Sequence, residues 1–313
     1  MFAPMSAQNI RDLNERFAIP GCLTFEAITG GLPVARVRNA YASATVALHG
    51  AHVTAFQPHG QRPVLWMSAR SRFEAGAPLR GGIPICWPWF GPHPHDPAVP
   101  SHGFARISEW EVAGAEALDD GATRIELKLG DTAASHRLWP WAFDLRLRVR
   151  VAADLRVELT MRNTGDQTMT CSSALHSYFA VSDVTAVRVL GLQKCRFLDT
   201  VPTPPAEGIQ DGPVTVGKET DLVYPDTEAE CVLEDPGLAR RIRIAKEGSR
   251  STVVWNPWAA KAARMPDFGD DEYPGMLCIE TANAETDTRQ IAPGGQHRLA
   301  AVIRVEPFPA GEN

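Results

Sequence analysis

The chain has 313 residues, 44% hydrophobic and 22% charged, which is typical of a globular protein with a sizeable core. Its 37 acidic residues outnumber the 31 basic ones, which form no block, so nucleic acids and membrane surfaces are disfavoured as partners because they need a concentrated positive face. No apolar run approaches the roughly 18 residues of a membrane-spanning helix, and the N-terminus lacks a signal-peptide pattern, so a cytoplasmic protein with six reduced cysteines is expected.

The first predicted element is a helix over residues 6–17. Ile10, Leu13 and Phe17 recur at helical spacing, and Ser6 is available as the N-cap. Few other segments show this period, so little further helix is expected.

Alternation of apolar and polar residues dominates the rest of the chain and predicts antiparallel strands. The clearest pair is 143–151 and 155–162, which is typical of a hairpin with one wet face around a turn at 152–154. The same alternation recurs at 124–129, 241–244 and 299–305. With 25 glycines and 25 prolines to mark turns, and no linker or repeat, the sequence predicts an all-β fold: one large antiparallel β-sandwich domain over residues 1–313.

A loop rich in glycine and aromatic residues, 80–91 (RGGIPICWPWFG), is the first candidate for ligand binding. Its glycine pair lets the backbone approach a ligand closely, and Trp87, Trp89 and Phe90 offer flat faces on which a sugar could stack. A second segment, 101–106 (SHGFAR), ends in another arginine. Arg80 and Arg106, brought together by the fold, would form a fork suited to a phosphate or a carboxylate.

Two proline-rich stretches, 87–100 and 201–212, are predicted to be loops. The first contains His93 and His95, a spacing that binds metal when it lies on a strand. The intervening proline argues against strand geometry, so solvated loop histidines are expected. The acidic residues at 267–272 are likewise expected to form a solvated turn.

Two titratable residues lie inside apolar, strand-like runs: His176 in residues 174–179 (ALHSYF) and Glu280 in residues 276–281 (MLCIET). Each alone is most simply a satisfied core residue. A carboxylate and an imidazole in low-dielectric surroundings are, however, the groups needed to remove one proton and deliver another. Together with the arginine-bearing loop they indicate acid–base chemistry on an anionic ligand.

These segments, with 219–224 (ETDLVY) and 255–258 (WNPW), resemble the aldose 1-epimerase (galactose mutarotase-like) superfamily, in family order from about residue 40 to about residue 305. The Arg-Gly-Gly and His-Gly-Phe-Ala-Arg elements resemble the glucose-6-phosphate 1-epimerase branch. The resemblance implies a large antiparallel β-supersandwich with short helices. It also implies a monomeric enzyme that needs no cofactor or metal and acts on a sugar phosphate.

The resemblance assigns roles to individual residues. It implies His176 as the acid and Glu280 as the base that open and reclose a hexose ring, with Asp221 as a ligand of a sugar hydroxyl. It implies Arg80 and Arg106 as the clamp for phosphate and substrate, and places 101–102 at the substrate. His102 matches the family there, whereas Ser101, with a shorter side chain, stands where some members have a glutamine that contacts the substrate.

Three alternatives remain open from the sequence. The same fold could carry a non-catalytic carbohydrate-binding or sensing domain, which has no use for both His176 and Glu280. It could carry a 1-epimerase for free aldoses, which has no use for a phosphate clamp. A metal-dependent sugar isomerase built on His93 and His95 is the third.

Overall fold

The computed structural model describes residues 7–93 and 95–308. The α-helices of these residues are α1 (Ala7–Phe17), α2 (Ala133–Leu138) and α3 (Trp258–Ala262), and short 3-10 helices lie at Thr29–Gly31, Ala105–Ile107, Tyr273–Gly275 and Glu285–Asp287. The strands are β1 (Leu23–Ala27), β2 (Pro33–Arg38), β3 (Ala42–Ala47), β4 (His52–Pro58), β5 (Ile85–Cys86), β6 (Glu111–Ala117), β7 (Thr123–Gly130), β8 (Phe143–Val151), β9 (Asp154–Asn163), β10 (Met169–Cys171), β11 (Ser173–Leu175), β12 (Tyr178–Ala180), β13 (Arg188–Leu190), β14 (Arg196–Asp199), β15 (Ala206–Ile209), β16 (Thr220–Tyr224), β17 (Cys231–Asp235), β18 (Arg240–Glu247), β19 (Ser251–Asn256), β20 (Met276–Asn283), β21 (Arg289–Ile291) and β22 (Gln296–Pro307).

Two eight-stranded sheets make up most of the fold. The first runs β15-β14-β16-β19-β20-β11-β5, with β12 also pairing with β20, and the second runs β13-β17-β18-β22-β9-β8-β7-β6. A four-stranded sheet (β1-β2-β3-β4) and a two-stranded one (β10-β21) complete it. Each ladder between these strands is antiparallel.

A shared apolar core joins the two large sheets. Alternation predicts this core: in β8 the odd-numbered residues from Phe143 to Val151 are buried and the even-numbered ones are partly exposed. The buried side chains of β8 and β9 belong to the same cluster as Leu175, Leu277 and Ile279 of the first sheet. Burial of apolar surface between two sheets is what defines a β-sandwich, and the predicted fold class is confirmed.

Most of the predicted elements are confirmed. The helix 6–17 corresponds to α1, although Ser6, its predicted cap, lies outside the described residues. The hairpin is β8 and β9, paired from Phe143 opposite Asn163 to Val151 opposite Leu155, and its turn is one residue shorter than expected because β9 begins at Asp154.

One predicted loop is partly wrong. Residues 201–212 contain β15, which pairs with β14 at the end of the first large sheet. This strand is mostly exposed and lacks the apolar alternation that would have predicted it. None of the helices in the described part of the chain is long and apolar enough to span a membrane. A single domain over residues 1–313 and a cytoplasmic location stay predictions.

Candidate active site

One face of the first large sheet carries the candidate site. Along β20, Leu277 and Ile279 enter the shared core, whereas Cys278 packs into a smaller apolar cluster on the opposite face. Because side chains alternate along a strand, Glu280 lies on the same face as Cys278. Residues Leu175 and Phe179 likewise enter the shared core.

The neighbouring segment places a histidine on that same face. Ala174 and Tyr178, on either side of His176 in the alternation, both belong to the smaller cluster. Strands β11 and β12 keep the same register with β20 across the short interruption between them, since Leu175 pairs with Thr281 and Tyr178 pairs with Cys278. His176 therefore stands opposite Glu280, where side chains of facing strands touch.

The imidazole and the carboxylate are in contact. His176 Nε2 lies 3.3 Å from Glu280 Oε1, and their side chains are only 9% and 1% exposed. Nδ1 of His176 and Oε2 of Glu280 are buried with no hydrogen-bond partner among the described residues. Since buried polar atoms are nearly always paired, these two atoms mark the place where a polar ligand would complete the site.

Burial opposes charge on both members of the pair. It lowers the pKa of His176 well below its ordinary value, and the positive charge of nearby side chains lowers that pKa further. Burial raises the pKa of Glu280 well above its ordinary value; the Asp221 carboxylate adds to this and Arg106 counteracts it. Mutual attraction alone would hold the pair charged near neutral pH, but both shifts favour the neutral forms. The pair therefore holds one proton over a wide pH range.

Arg80 is fixed beside this pair by two partners. Its Nη2 and Nε donate to the Asp267 carboxylate at 3.1–3.3 Å, and its Nη1 donates to the Tyr178 hydroxyl at 3.0 Å. Burial alone would lower the pKa of Arg80, but Tyr178 and Asp267 outweigh it and the pKa is raised. The Tyr178 ring in turn stacks on His176 with centroids 4.8 Å apart and planes 9° apart. Tyr178 thus connects the arginine to the imidazole.

The glycine pair after Arg80 is required by close backbone contacts. Gly82 has φ +61°, and a Cβ at this position would lie 2.3 Å from the carbonyl oxygen of Val53 and 2.8 Å from Nε2 of His52. The same glycine accepts a hydrogen bond from the Tyr178 backbone N–H at 2.8 Å through its carbonyl. The loop that holds Arg80 therefore packs closely against both β4 and β12.

Arg106 is a buried guanidinium with few partners. It is 9% exposed, its Nη2 donates to the Ser101 carbonyl at 2.8 Å, and its Nε has no partner in the described residues. Burial lowers its pKa, and the charge of Arg80 does so as well. No carboxylate lies within ion-pair distance of it in the described ranges. Ser101 is exposed and its backbone carbonyl positions Arg106, while a substrate contact of its side chain stays a prediction.

His102 completes the basic side of the site in its neutral form. Its Nδ1 accepts a hydrogen bond from the Gly91 backbone N–H at 3.2 Å, which leaves the proton on Nε2. Burial lowers its pKa to about 3, and the two arginines add to the effect. Its ring centroid is 5.7 Å from that of His176. A neutral Nε2–H beside the acid–base pair is a hydrogen-bond donor for a ligand.

Asp221 lies on the same face of the sheet, two strands away from β20. It lies on β16, opposite Trp255 of β19, and Trp255 lies opposite Cys278 of β20. Burial raises the pKa of Asp221, while Lys261 counteracts that shift. The predicted residues His176, Glu280, Arg80, Arg106, His102 and Asp221 are thus coupled in one region of the molecule.

Two predicted features lie in the segment from Arg80 to His95: the aromatic faces of the loop and the pair His93 and His95. Trp87 does not offer a face to a sugar: it is fully buried in the shared core, and Trp89 is 6% exposed there, so that part of the prediction is wrong. The Nδ1 atom of His93 accepts backbone N–H groups of His95 and Asp96. This is the local hydrogen bonding of a turn, as expected for this loop.

Sequence reasoning missed four residues that shape the site: Tyr178, Asp267, Cys278 and His52. Tyr178 and Cys278 lie two residues from His176 and Glu280, and strand alternation alone puts them on the same face. Asp267 belongs to the acidic turn expected to be solvated; it instead holds Arg80. The fully buried His52 contacts the Gly81 carbonyl through Nε2 at 2.7 Å, a contact that no sequence pattern indicates.

A β-sandwich that carries a buried acid–base pair beside two arginines has the layout of a galactose mutarotase-like carbohydrate enzyme. The family model for aldose 1-epimerase matches residues 33–304, and the chain belongs to that family. The resemblance inferred from the sequence motifs is confirmed.

Individual relatives agree with the family match. The chain is 38% identical to a protein of Salmonella typhimurium over 84% of its own length and 86% of that protein, and 35% identical to one of Escherichia coli K12 with the same coverage. Both are named "Putative glucose-6-phosphate 1-epimerase". The crystal structure of a "putative mutarotase" from Salmonella typhimurium superposes with a TM-score of 0.86 at 35% identity, covering 93% of this chain and 96% of that one.

Proposed function

We propose that this protein interconverts the α and β anomers of a hexose 6-phosphate, with glucose 6-phosphate as the first substrate to test. The observation that carries the proposal is the placement of His176 opposite Glu280, with 3.3 Å between Nε2 and Oε1. An acid and a base in contact on a buried face support a reaction in which two protons move at one carbon. The names of the relatives support the same substrate class.

The reaction opens and recloses the sugar ring. Glu280 accepts the proton of the C1 hydroxyl while the bond between C1 and the ring oxygen breaks and His176 donates a proton to that oxygen. The open-chain aldehyde rotates about the C1–C2 bond. On reclosure the ring oxygen attacks the other face of C1, its proton returns to His176, and Glu280 returns its proton to the former carbonyl oxygen. Each positioned proton-transfer group typically contributes roughly 10²–10⁴-fold to the rate.

The single proton shared by the pair suits this cycle. The charged arrangement of ionised Glu280 and protonated His176 is a tautomer of the neutral pair, so the pair reaches it without taking up or losing a proton. A sugar hydroxyl that donates to Oε2 of Glu280 would satisfy an atom that otherwise has no partner in the described residues. Such a bond favours the ionised carboxylate, which is the form that acts as the base.

The two arginines support a phosphate on the substrate. Arg106 is buried, its guanidinium makes one hydrogen bond within the described residues, to a carbonyl, and Arg80 shares its charge with Asp267. A phosphate dianion beside them would compensate the remaining positive charge through charge-assisted hydrogen bonds. His102 and Asp221 are proposed to bind sugar hydroxyls, one as a donor and the other as an acceptor. A monomer is proposed as the functional unit.

The test compares anomerisation of pure α-glucose 6-phosphate and pure α-glucose by the wild type, Arg80→Ala and Arg106→Ala. Loss of one charge-assisted contact should weaken use of the phosphorylated sugar by roughly ten- to a hundredfold. The free sugar should be a poor substrate and indifferent to both changes. Arg70→Ala is the matched control, because Arg70 is exposed and pairs with Asp270 at the surface.

Each outcome identifies a different kind of protein. Equal efficiency on both sugars, with both arginine variants unimpaired, would identify a free-aldose 1-epimerase. Binding of the sugar phosphate without any acceleration of anomerisation would identify a carbohydrate-binding domain. Saturation-transfer NMR of the anomeric protons measures the exchange directly.

A further inference from the structure

A cysteine thiol that the proposed reaction does not use lies beside the acid–base pair. Cys278 is two residues before Glu280 on β20, so both side chains project from the same face of the sheet. One ligand atom from each of His176, Cys278 and Glu280 lies within 4.8 Å of the other two, and all three residues are buried. No other part of the described chain brings three such groups together this closely.

The arrangement matches the coordination preferences of zinc. Zinc takes imidazole nitrogen, thiolate and carboxylate ligands at roughly 2.0–2.3 Å in tetrahedral geometry, which puts neighbouring ligand atoms roughly 3.3–3.8 Å apart. The separation of 3.3 Å between His176 Nε2 and Glu280 Oε1 already equals one edge of such a tetrahedron. The sulfur lies within 4.8 Å of the other two atoms, so binding requires it to approach them by at most about one ångström.

A second observation points to a ligand at the same place. Oε2 of Glu280 and Nδ1 of His176 are buried and have no hydrogen-bond partner in the described residues. Both residues are more than nine-tenths buried, so these atoms are not simply solvated. A metal ion on the carboxylate would engage a group that is otherwise unsatisfied.

We propose that His176, Cys278 and Glu280 form a three-ligand site for a thiophilic divalent cation, with Zn²⁺ as the ion of choice, and that its occupancy excludes catalysis. Two protons pass to the buffer when the metal binds: one from the thiol and one from the His176–Glu280 pair, because the metal takes the thiolate, the carboxylate and the neutral imidazole. The sulfur ligand selects Zn²⁺ over Mg²⁺ and Ca²⁺, which prefer oxygen. A fourth coordination position remains for water. Arg80 and Arg106 oppose a dication here, whereas Asp221 and Asp267 favour it.

Metal binding itself does not depend on the proposed reaction, so it is measured first and without substrate. The chelator-stripped full chain is titrated with Zn²⁺ in competition with a chromophoric chelator, and separately with Co²⁺ while the absorption spectrum is followed. We expect one tight Zn²⁺ per chain and a thiolate-to-cobalt charge-transfer band. Cys278→Ser and Cys278→Ala should each weaken Zn²⁺ binding by at least roughly tenfold and abolish the band.

Controls separate this site from adventitious binding. Cys231→Ala removes another buried thiol, on β17 of the second large sheet, and should leave both signals intact. Equal thermal unfolding of the variants shows that they are folded. Unchanged Zn²⁺ affinity in both Cys278 variants, or loss of binding on replacing His93 and His95 instead, would overturn the proposal.

The inhibitory part rests on the proposed function and is tested separately. Zn²⁺ at a concentration that saturates the site should abolish anomerisation, and a chelator should restore it. Inhibition that persists unchanged in Cys278→Ser would overturn the assignment of the inhibitory site. If Zn²⁺ instead binds through Cys278 and the rate does not change, the metal site stands and the catalytic roles of His176 and Glu280 fail.

Discussion

At the scale of single residues, burial shifts the pKa values of His176 and Glu280 in opposite directions. The reason is that histidine is charged when protonated, whereas glutamate is charged when deprotonated. The pKa of the histidine is lowered and that of the glutamic acid is raised, in both cases first by burial. The doubly protonated pair therefore exists only at low pH and the fully deprotonated pair only at high pH. Between them lies the singly protonated pair, which is the only state that contains both an acid and a base.

The first prediction concerns the pH dependence of kcat/KM. We expect a bell-shaped profile whose acidic limb lies below the ordinary imidazole pKa, because His176 titrates there, and whose alkaline limb lies well above the ordinary carboxyl pKa, because Glu280 titrates there. Glu280→Gln should remove the alkaline limb and lower kcat by roughly 10²–10⁴-fold while the sugar phosphate still binds. Initial-rate measurements across pH check both points.

Controls make this prediction specific. Glu247→Gln changes a carboxylate that pairs with Arg156 at the surface, so its profile should match the wild type. A Glu280→Gln variant with a wild-type rate would contradict the role of this carboxylate as the base.

The chemistry of the site could be read from the sequence more readily than its geometry. A histidine and a glutamate inside apolar runs can be recognised as candidate functional residues, because burying such groups is costly. Their register against each other could not be predicted, since it depends on which strands pair. The prediction that Trp87 stacks on a sugar was wrong, because an aromatic residue in a glycine-rich loop is equally compatible with burial in the core. Asp267 was missed because an acidic turn reveals no partner before the fold brings Arg80 to it.

At the scale of elements, the strands that the sequence predicts best are those with the strongest alternation of apolar and polar residues. The strands β8 and β9 have one buried and one partly exposed face, and the sequence located them closely. The strand β20 is buried on both faces, so its sequence pattern cannot show which face of the sheet carries the Glu280 side chain. The exposed strand β15 lies at a sheet edge, where apolar alternation is not required.

The second prediction concerns the loop that carries Arg80. Gly82→Ala should destabilise the protein by roughly 1–3 kcal/mol, because its Cβ would meet the Val53 carbonyl oxygen at 2.3 Å, in addition to the strain of a positive φ. The shift of the loop should also raise the KM for the sugar phosphate. Denaturant unfolding and initial rates measure the two effects.

Gly76→Ala separates the strain from the contact. Gly76 has φ +81° and no atom within 4 Å of a Cβ, so this variant carries only the conformational cost, roughly 1–2 kcal/mol, with an unchanged KM. Equal KM values in the two variants would show that the Gly82 contact does not position Arg80.

At the scale of the whole molecule, the site contains buried positive charge, whereas the chain as a whole is acidic. The formal net charge is −6, and on the outer face of the second large sheet Arg146 and Arg148 share Glu126 as an acidic partner. Arg106 instead lies buried with a carbonyl as its hydrogen-bond partner. A positive charge of this kind costs stability when the site is empty and is compensated when an anion binds.

The last prediction follows from that imbalance. Glucose 6-phosphate should raise the unfolding temperature of the wild type, since a ligand that binds only the folded state at 100 times its Kd stabilises it by about 2.7 kcal/mol. Glucose at the same concentration, or KCl at the same ionic strength, should give little or no shift.

Arg106→Ala should lose most of the stabilisation, because the phosphate would lose a charge-assisted contact. Arg70→Ala removes the same charge from an exposed ion pair and should keep the full shift. A shift of equal size in Arg106→Ala and in the wild type would mean that the phosphate binds elsewhere, and differential scanning calorimetry of the three proteins distinguishes these results.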